Sequence, residues 1–200
     1  MMRAAIAAVL AVAAVVQPPP SLEVPASSTP LLLDGRCDGL EWRDASRTRL
    51  RDSMELLLQQ NESQVMLCAT LPPDSYGTMD LYVASQTVPL PINLHASAQV
   101  GERQRAVSGW PEWAFGNQRG WYSPPVALSK AAVVDGKAQL TFGIVLAREV
   151  VIEKDKFGRG PWRVMLELRA LGADKRGTLH YPPSASADDT ATWAIVGVRP

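Results

Sequence analysis

Apolar residues recur at every second position in most hydrophobic stretches of this chain, a spacing that lines one face of an extended backbone. Two such runs, Val65 to Leu71 and Met79 to Val83, flank Pro72-Pro73-Asp74-Ser75-Tyr76-Gly77. That segment continues neither run, because proline donates no ladder hydrogen bond and glycine accepts turn dihedrals. The pattern predicts a hairpin with a long loop. Val65, Leu67 and Ala69 fall on one side of its first arm, with Met66, Cys68 and Thr70 on the other. In the second arm Met79, Leu81 and Val83 alternate with Asp80 and Tyr82, predicting one buried face and one that presents a carboxylate and a phenol. Ile92 to Val100 alternates most strictly, with Asn93, His95, Ser97 and Gln99 opposite the apolar positions, as in a half-buried antiparallel strand.

Val126 to Val134 and Ala138 to Ala147 read as two strands joined by an Asp135-Gly136 turn. Met54 to Leu58 begins a strand that Asn61-Glu62-Ser63 turns back. Trp162 to Leu171 sets Val164, Leu166 and Leu168 against Arg163, Met165, Glu167 and Arg169. A last pair, Thr178 to Tyr181 and Thr192 to Val198, brackets a polar turn. Eight to ten strands and no long helix predict an all-β fold, an antiparallel β-sandwich.

The N-terminus follows a different pattern. Met1-Met2-Arg3 precedes an uncharged run, Ala4 to Val16, that stops at Gln17 and three prolines. A short positive start, an apolar stretch and small residues at Ala11 to Ala14 are the marks of a secretory signal peptide over residues 1–17. The alternative, a membrane anchor, needs more length: thirteen helical residues span about 20 Å against a bilayer core of about 30 Å. Residues 18–30, rich in proline and serine, read as an extended leader, with a single sandwich domain over residues 31–200. The expected location is outside the cytoplasm, periplasmic or secreted, with no membrane span in the mature chain. In that oxidising setting Cys37 and Cys68 read as a disulfide; the alternative is one buried and one exposed thiol. The 20 basic residues match the 20 acidic ones, so the charge gives no reason to collect on nucleic acid or anionic lipid.

Several segments together resemble a known group. These are the Asp34-Gly35 opening followed by Glu41-Trp42, the strand Gly77-Thr78-Met79-Asp80-Leu81-Tyr82-Val83 and the strand Trp162-Arg163-Val164-Met165-Leu166-Glu167. From about Leu31 to Val196 the chain is similar to carbohydrate-binding module family 9 and the wider DOMON-like sandwiches. The resemblance implies a non-catalytic sandwich that binds sugars through aromatic side chains, in some members with structural calcium. DOMON relatives can instead hold haem or serve as interaction modules.

The candidate chemistry lies in Val107 to Pro125, an aromatic loop rich in glycine and proline. Sugar rings stack apolar C–H faces on flat aromatics while their hydroxyls seek a few placed polar groups. Trp110, Trp113, Trp121 and Tyr122 supply the rings. Should the strand order bring them onto one sheet face, Asp80, Asn93, His95 and Arg163 would make a polar floor beneath, with Asn93, His95 and Arg163 as ligand contacts. The competing readings are rings that cap the sandwich and a polar face that meets water. Two histidines and a bonded cysteine pair leave too few ligands for a zinc or copper site, and Asp34 and Asp38 read as turn formers before calcium ligands. No catalytic residues, metal or cofactor are expected. The sequence predicts an exported protein that binds a glycan or cell-envelope saccharide without changing it. The alternative is a structural or protein-interaction domain of the envelope.

Overall fold

A computed structural model describes residues 18–125, 128–134, 137–143 and 145–199, so the expected signal segment and the Asp135-Gly136 turn lie outside the described residues. In chain order the strands are β1 (Ser21–Leu22), β2 (Ser46–Arg51), β3 (Met54–Gln60), β4 (Gln64–Thr70) and β5 (Thr78–Ala84). There follow β6 (Ile92–Ala96), β7 (Val100–Gln104), β8 (Ala114–Phe115), β9 (Trp121–Tyr122), β10 (Leu128–Val134) and β11 (Lys137–Phe142). The last are β12 (Ala147–Glu153), β13 (Gly160–Leu171), β14 (Gly177–Tyr181) and β15 (Ala194–Val198). Among the described residues the one α-helix is a single turn, Lys154–Phe157, and no helix is long and apolar enough to cross a membrane.

Two sheets pack into a sandwich, as predicted. The larger runs β1-β15-β13-β5-β6-β7-β8, with β14 also on β13; the smaller runs β2-β3-β4-β12-β9. β10 and β11 pair antiparallel as a separate hairpin. Leu56, Leu58, Val65, Leu67, Val150 and Ile152 of the smaller sheet meet Met79, Leu81, Val83, Leu94, Trp162, Val164 and Leu166 of the larger, all buried in one core. Burial at this density is the main source of stability, at about 25 cal/mol per Å² of apolar surface removed from water. A second apolar layer lies outside the smaller sheet, where Cys37, Trp42, Leu57, Met66, Cys68 and Val151 cluster. The Cys37–Cys68 disulfide ties residues 31–45 down there, with Cα atoms 5.9 Å apart.

The structure corrects several local expectations. β4 and β5 are not a hairpin: they belong to opposite sheets, and residues 71–77 cross between them. Val65, Leu67 and Ala69 face the same core as Met79, Leu81 and Val83, but from the other side. Alternation is identical for an arch and a hairpin, because it reports which face is buried and not which strand lies alongside. The crossing is fixed by Ser75, whose Oγ donates to the Pro72 carbonyl at 2.7 Å and accepts from Gly172 N at 2.9 Å.

The run from Ile92 to Val100 is likewise not one strand. It breaks at residues 97–99 into the β6–β7 hairpin, with Ser97 Oγ accepting from Gln99 N at 3.1 Å. The residues read as a leader, 18–30, are extended but belong to the sandwich. β1 pairs parallel with β15, Leu22 and Val24 sit in the core, and Gln60 Nε2 donates to the Val24 carbonyl. Proline-rich composition hid this because just two apolar residues in the stretch, Leu22 and Val24, are buried. The last two strands, β14 and β15, lie end to end along one edge of β13.

Candidate functional site

The outer face of the larger sheet carries the polar residues of the alternating strands. Register places Met165, Tyr82, Asn93 and Arg103 in one row across β13, β5, β6 and β7, and Glu167, Asp80, His95 and Gly101 in the next. The polar floor therefore forms, because strand order brings these strands side by side. It does not meet water. Asp80, Tyr82, Asn93 and His95 are all buried, which corrects the expectation of a solvated face.

The cover is the aromatic loop. β8 pairs with β7 at Gly101↔Phe115 and Glu102↔Ala114, folding residues 105–116 back over the sheet. Gly101 permits this approach, since a Cβ there would lie 2.6 Å from the Ala114 carbonyl oxygen. Trp113 then sits 4.9 Å from the His95 ring, with Phe115 5.7 Å from it. Trp110 meets Tyr82 edge-on at 5.2 Å, and Trp193 approaches Tyr82 at 5.9 Å. Between the two loop tryptophans lies Arg103, its guanidinium carbon 4.1 Å from the Trp113 ring centre and 5.4 Å from that of Trp110.

One row is electrostatically complete. Asp80 binds His95 Nδ1 at 2.7 Å through one oxygen and Arg169 through the other, and His95 Nε2 meets Ser97 Oγ at 2.9 Å. Glu167 lies 3.7 Å from Arg169 and 3.5 Å from His180. Tyr82 donates to Glu167 at 3.5 Å; burial first, then the charges of Asp80 and Glu167, push its phenol up to about 12. It stays a neutral donor at any working pH.

The neighbouring row is incomplete. Asn93 is 0% exposed, yet neither its amide oxygen nor its amide nitrogen has a hydrogen-bond partner. Arg103 Nε and Trp110 Nε1 are also buried without one. A buried polar group left unpaired costs about 1–3 kcal/mol. Unmatched groups gathered under aromatic rings are the arrangement that a ligand's hydroxyls complete.

The other expected site residues are not brought here. Trp121 is 6% exposed within the core, paired with Ile152, and its Nε1–H donates to Glu102 at 2.8 Å. A ring closed on both faces cannot stack on a ligand, so Trp121 serves packing. Tyr122 is 48% exposed but belongs to the smaller sheet, beside a cleft of about 450 Å³ lined by Ser27, Thr29, Leu33, Asn61 and Gln64. Arg163 shares the outer face, two positions along β13 from Met165, where it donates to the Thr190 carbonyl at 3.3 Å. It lines a separate cleft of about 470 Å³ with Pro89, Pro91 and Thr190. In the opening loop Asp34 Oδ1 accepts from Arg36 N at 3.0 Å and Asp38 pairs with Arg36 at 2.9 Å, as turn residues do. Sequence reasoning missed Arg103 and the placement of Tyr82. The signal for Arg103 was a Gly101-Glu102-Arg103 alternation, legible once the preceding run is split into a hairpin.

No protein-family profile matches the sequence, and no curated protein does. In structure the chain is similar to a carbohydrate-binding module family 9 from Caldicellulosiruptor kristjanssonii in complex with glucose. Identity is 9% over 90% of this chain and 95% of that one, with a TM-score of 0.49. The same kind of module from that organism, in complex with cellotriose, matches at 9% identity over 89% and 94%, TM-score 0.48. A candidate carbohydrate-binding protein from Bacteroides uniformis matches at 9% identity over 89% and 98%, TM-score 0.50. At this identity the likeness is one of fold: the sandwich expected from the family resemblance is the architecture found.

Proposed function

We propose that this is an exported, non-catalytic saccharide-binding protein whose site is the outer face of the larger sheet beneath residues 105–116. The observation that carries the reading is the Asn93 amide, fully buried with both polar atoms unpartnered, below two tryptophan rings. An amide offers two donors and an acceptor, a match for sugar hydroxyls, while Trp110 and Trp113 offer the flat apolar surface that pyranose C–H faces stack on. Ligand enters when the loop lifts. Gly109 and Gly116 bracket the ring-bearing segment at φ +113° and +73°, each with open space where a Cβ would stand, so the hinges of that movement fall at residues with wide backbone freedom. The fold shared with saccharide-binding proteins supports the reading, and the disulfide agrees with an oxidising compartment.

The test is calorimetric titration of mono- and oligosaccharides into the wild-type protein, Trp113→Ala and Asn93→Leu. Wild type is expected to bind at least one saccharide saturably, and both variants to lose that binding at least tenfold. Asn93→Leu removes a buried unpaired amide, so it is expected to melt at the wild-type temperature or above it. Absence of binding across the panel would refute the proposal and leave the loop as a cover, favouring a structural or protein-interaction role.

A further inference from the structure

The charged groups of this face are not all paired in contact. Both carboxylates are matched, Asp80 by His95 and Arg169, Glu167 by Arg169 and His180. Arg103 is not. Among the described residues its polar neighbours are the Pro111 carbonyl, at 3.2 Å from Nη1, and the Tyr82 hydroxyl, and neither carries charge. Its Nε is buried and unpartnered. The guanidinium carbon lies over both the Trp113 and the Trp110 ring, which fixes where its planar fork of donors stands.

Resting on the saccharide reading above, we infer that the ligand is acidic: a saccharide containing a hexuronic acid, whose carboxylate is received by Arg103. A carboxylate takes two parallel N–H bonds from a guanidinium, a charged planar match that a sugar hydroxyl or acetamido group does not supply. A neutral sugar seated on Asn93 would further bury Arg103 without supplying counter-charge, and an uncompensated buried cation is costly. A uronate satisfies the hydroxyl partners of Asn93 and the charge of Arg103 together. The unmatched row of the face then becomes complete, as its neighbour already is.

The experiment compares oligogalacturonate, oligomannuronate and glucuronoxylan fragments with their carboxyl-reduced counterparts of equal length, by calorimetry at low and high salt. At least one acidic ligand is expected to bind ten times more tightly than its reduced form, with the ratio shrinking as salt rises. Arg103→Gln is expected to bring the two forms within about twofold. Arg103→Lys, which keeps the charge and loses the fork, is expected to fall between, and thermal melts verify that both variants fold. Equal or tighter binding of the reduced forms by wild type overturns the inference while leaving saccharide binding intact. A preference that survives in Arg103→Gln overturns it as well, since another group would be reading the carboxylate. If no saccharide of either kind binds, the functional reading itself fails and this one falls with it.

Discussion

Glu149 gives the fold a specific pH dependence. It lies on β12 beneath the disulfide-tied opening loop, 1% exposed, with Oε2 accepting from Gly35 N at 2.6 Å and Oε1 from Trp42 Nε1 at 3.2 Å. Burial pushes its carboxyl from an ordinary value of 4.5 up to about 7; the two hydrogen bonds pull the other way, and the charges of Asp34 and Glu41 add a further push upward. Between those two values the folded protein holds a proton that the unfolded chain has released. Stability therefore falls as pH rises through that window and levels off above it. At 1.36 kcal/mol per pH unit, roughly 2 to 3 kcal/mol of the stability present at pH 5 is lost by pH 8. Glu149→Gln keeps the size and one acceptor but does not titrate. Its amide nitrogen faces an N–H donor, a cost that is the same at every pH. Urea denaturation of both proteins from pH 5 to pH 8 isolates the effect, because the wild-type curve is expected to fall relative to the variant by that amount. Parallel curves, or a wild type that gains on the variant as pH rises, would refute the assignment.

Two other changes test the frame around the site. Replacing Cys37 and Cys68 together by serine opens a loop of sequence separation 31. The chain-entropy relation puts the loss at about 3 to 4 kcal/mol, or about 10 °C in melting temperature for a chain of this size, and scanning calorimetry showing no drop would sink that account. Gly101→Ala drives a Cβ to 2.6 Å from the Ala114 carbonyl, so β8 should detach from β7. Hydrogen exchange in residues 105–116 is expected to quicken, with the inter-sheet core unaffected; unchanged protection would show that the close approach is not what holds the loop.

What alternation could specify, it specified. Val65, Leu67, Ala69, Met79, Leu81, Val83, Val164, Leu166 and Leu168 are all core residues, and two faces' worth of them is enough to demand a sandwich. The β3–β4 hairpin was legible too, because Asn61 turns the chain locally: its Oδ1 accepts from Ser63 N and Gln64 N. Partner choice was not. Whether residues 71–77 close a hairpin or cross to the opposite sheet depends on β13 and β12 lying alongside, and those strands are distant in sequence. Trp113 and Trp121 show the same limit within the loop. Their surroundings in sequence are alike, but Trp121 falls in a two-residue strand against β12 that turns its ring inward and Tyr122 outward.

The polar face was the hardest part to read, and the reason bears on function. Period-two alternation with Asn, His and Asp on one side normally describes a sheet that meets water. Here a segment, 105–116, remote from β5 and β13, covers that side, so each polar residue had to be matched or left unmatched under the cover. A cover that served packing alone would be most stable over apolar residues, as Met165 in the same row shows is possible. Asp80 and His95 escape the penalty by pairing with each other and with Arg169. Asn93 and Arg103 do not, although they lie one register row away, about 7 Å along the strands. Two adjacent rows under one cover, one fully satisfied and one not, separate the groups that hold the lid down from the groups that await a partner. Under the proposed saccharide-binding role that division assigns the ligand to the Asn93–Arg103 row, and it predicts that changes at Asp80 cost stability, whereas changes at Asn93 cost binding.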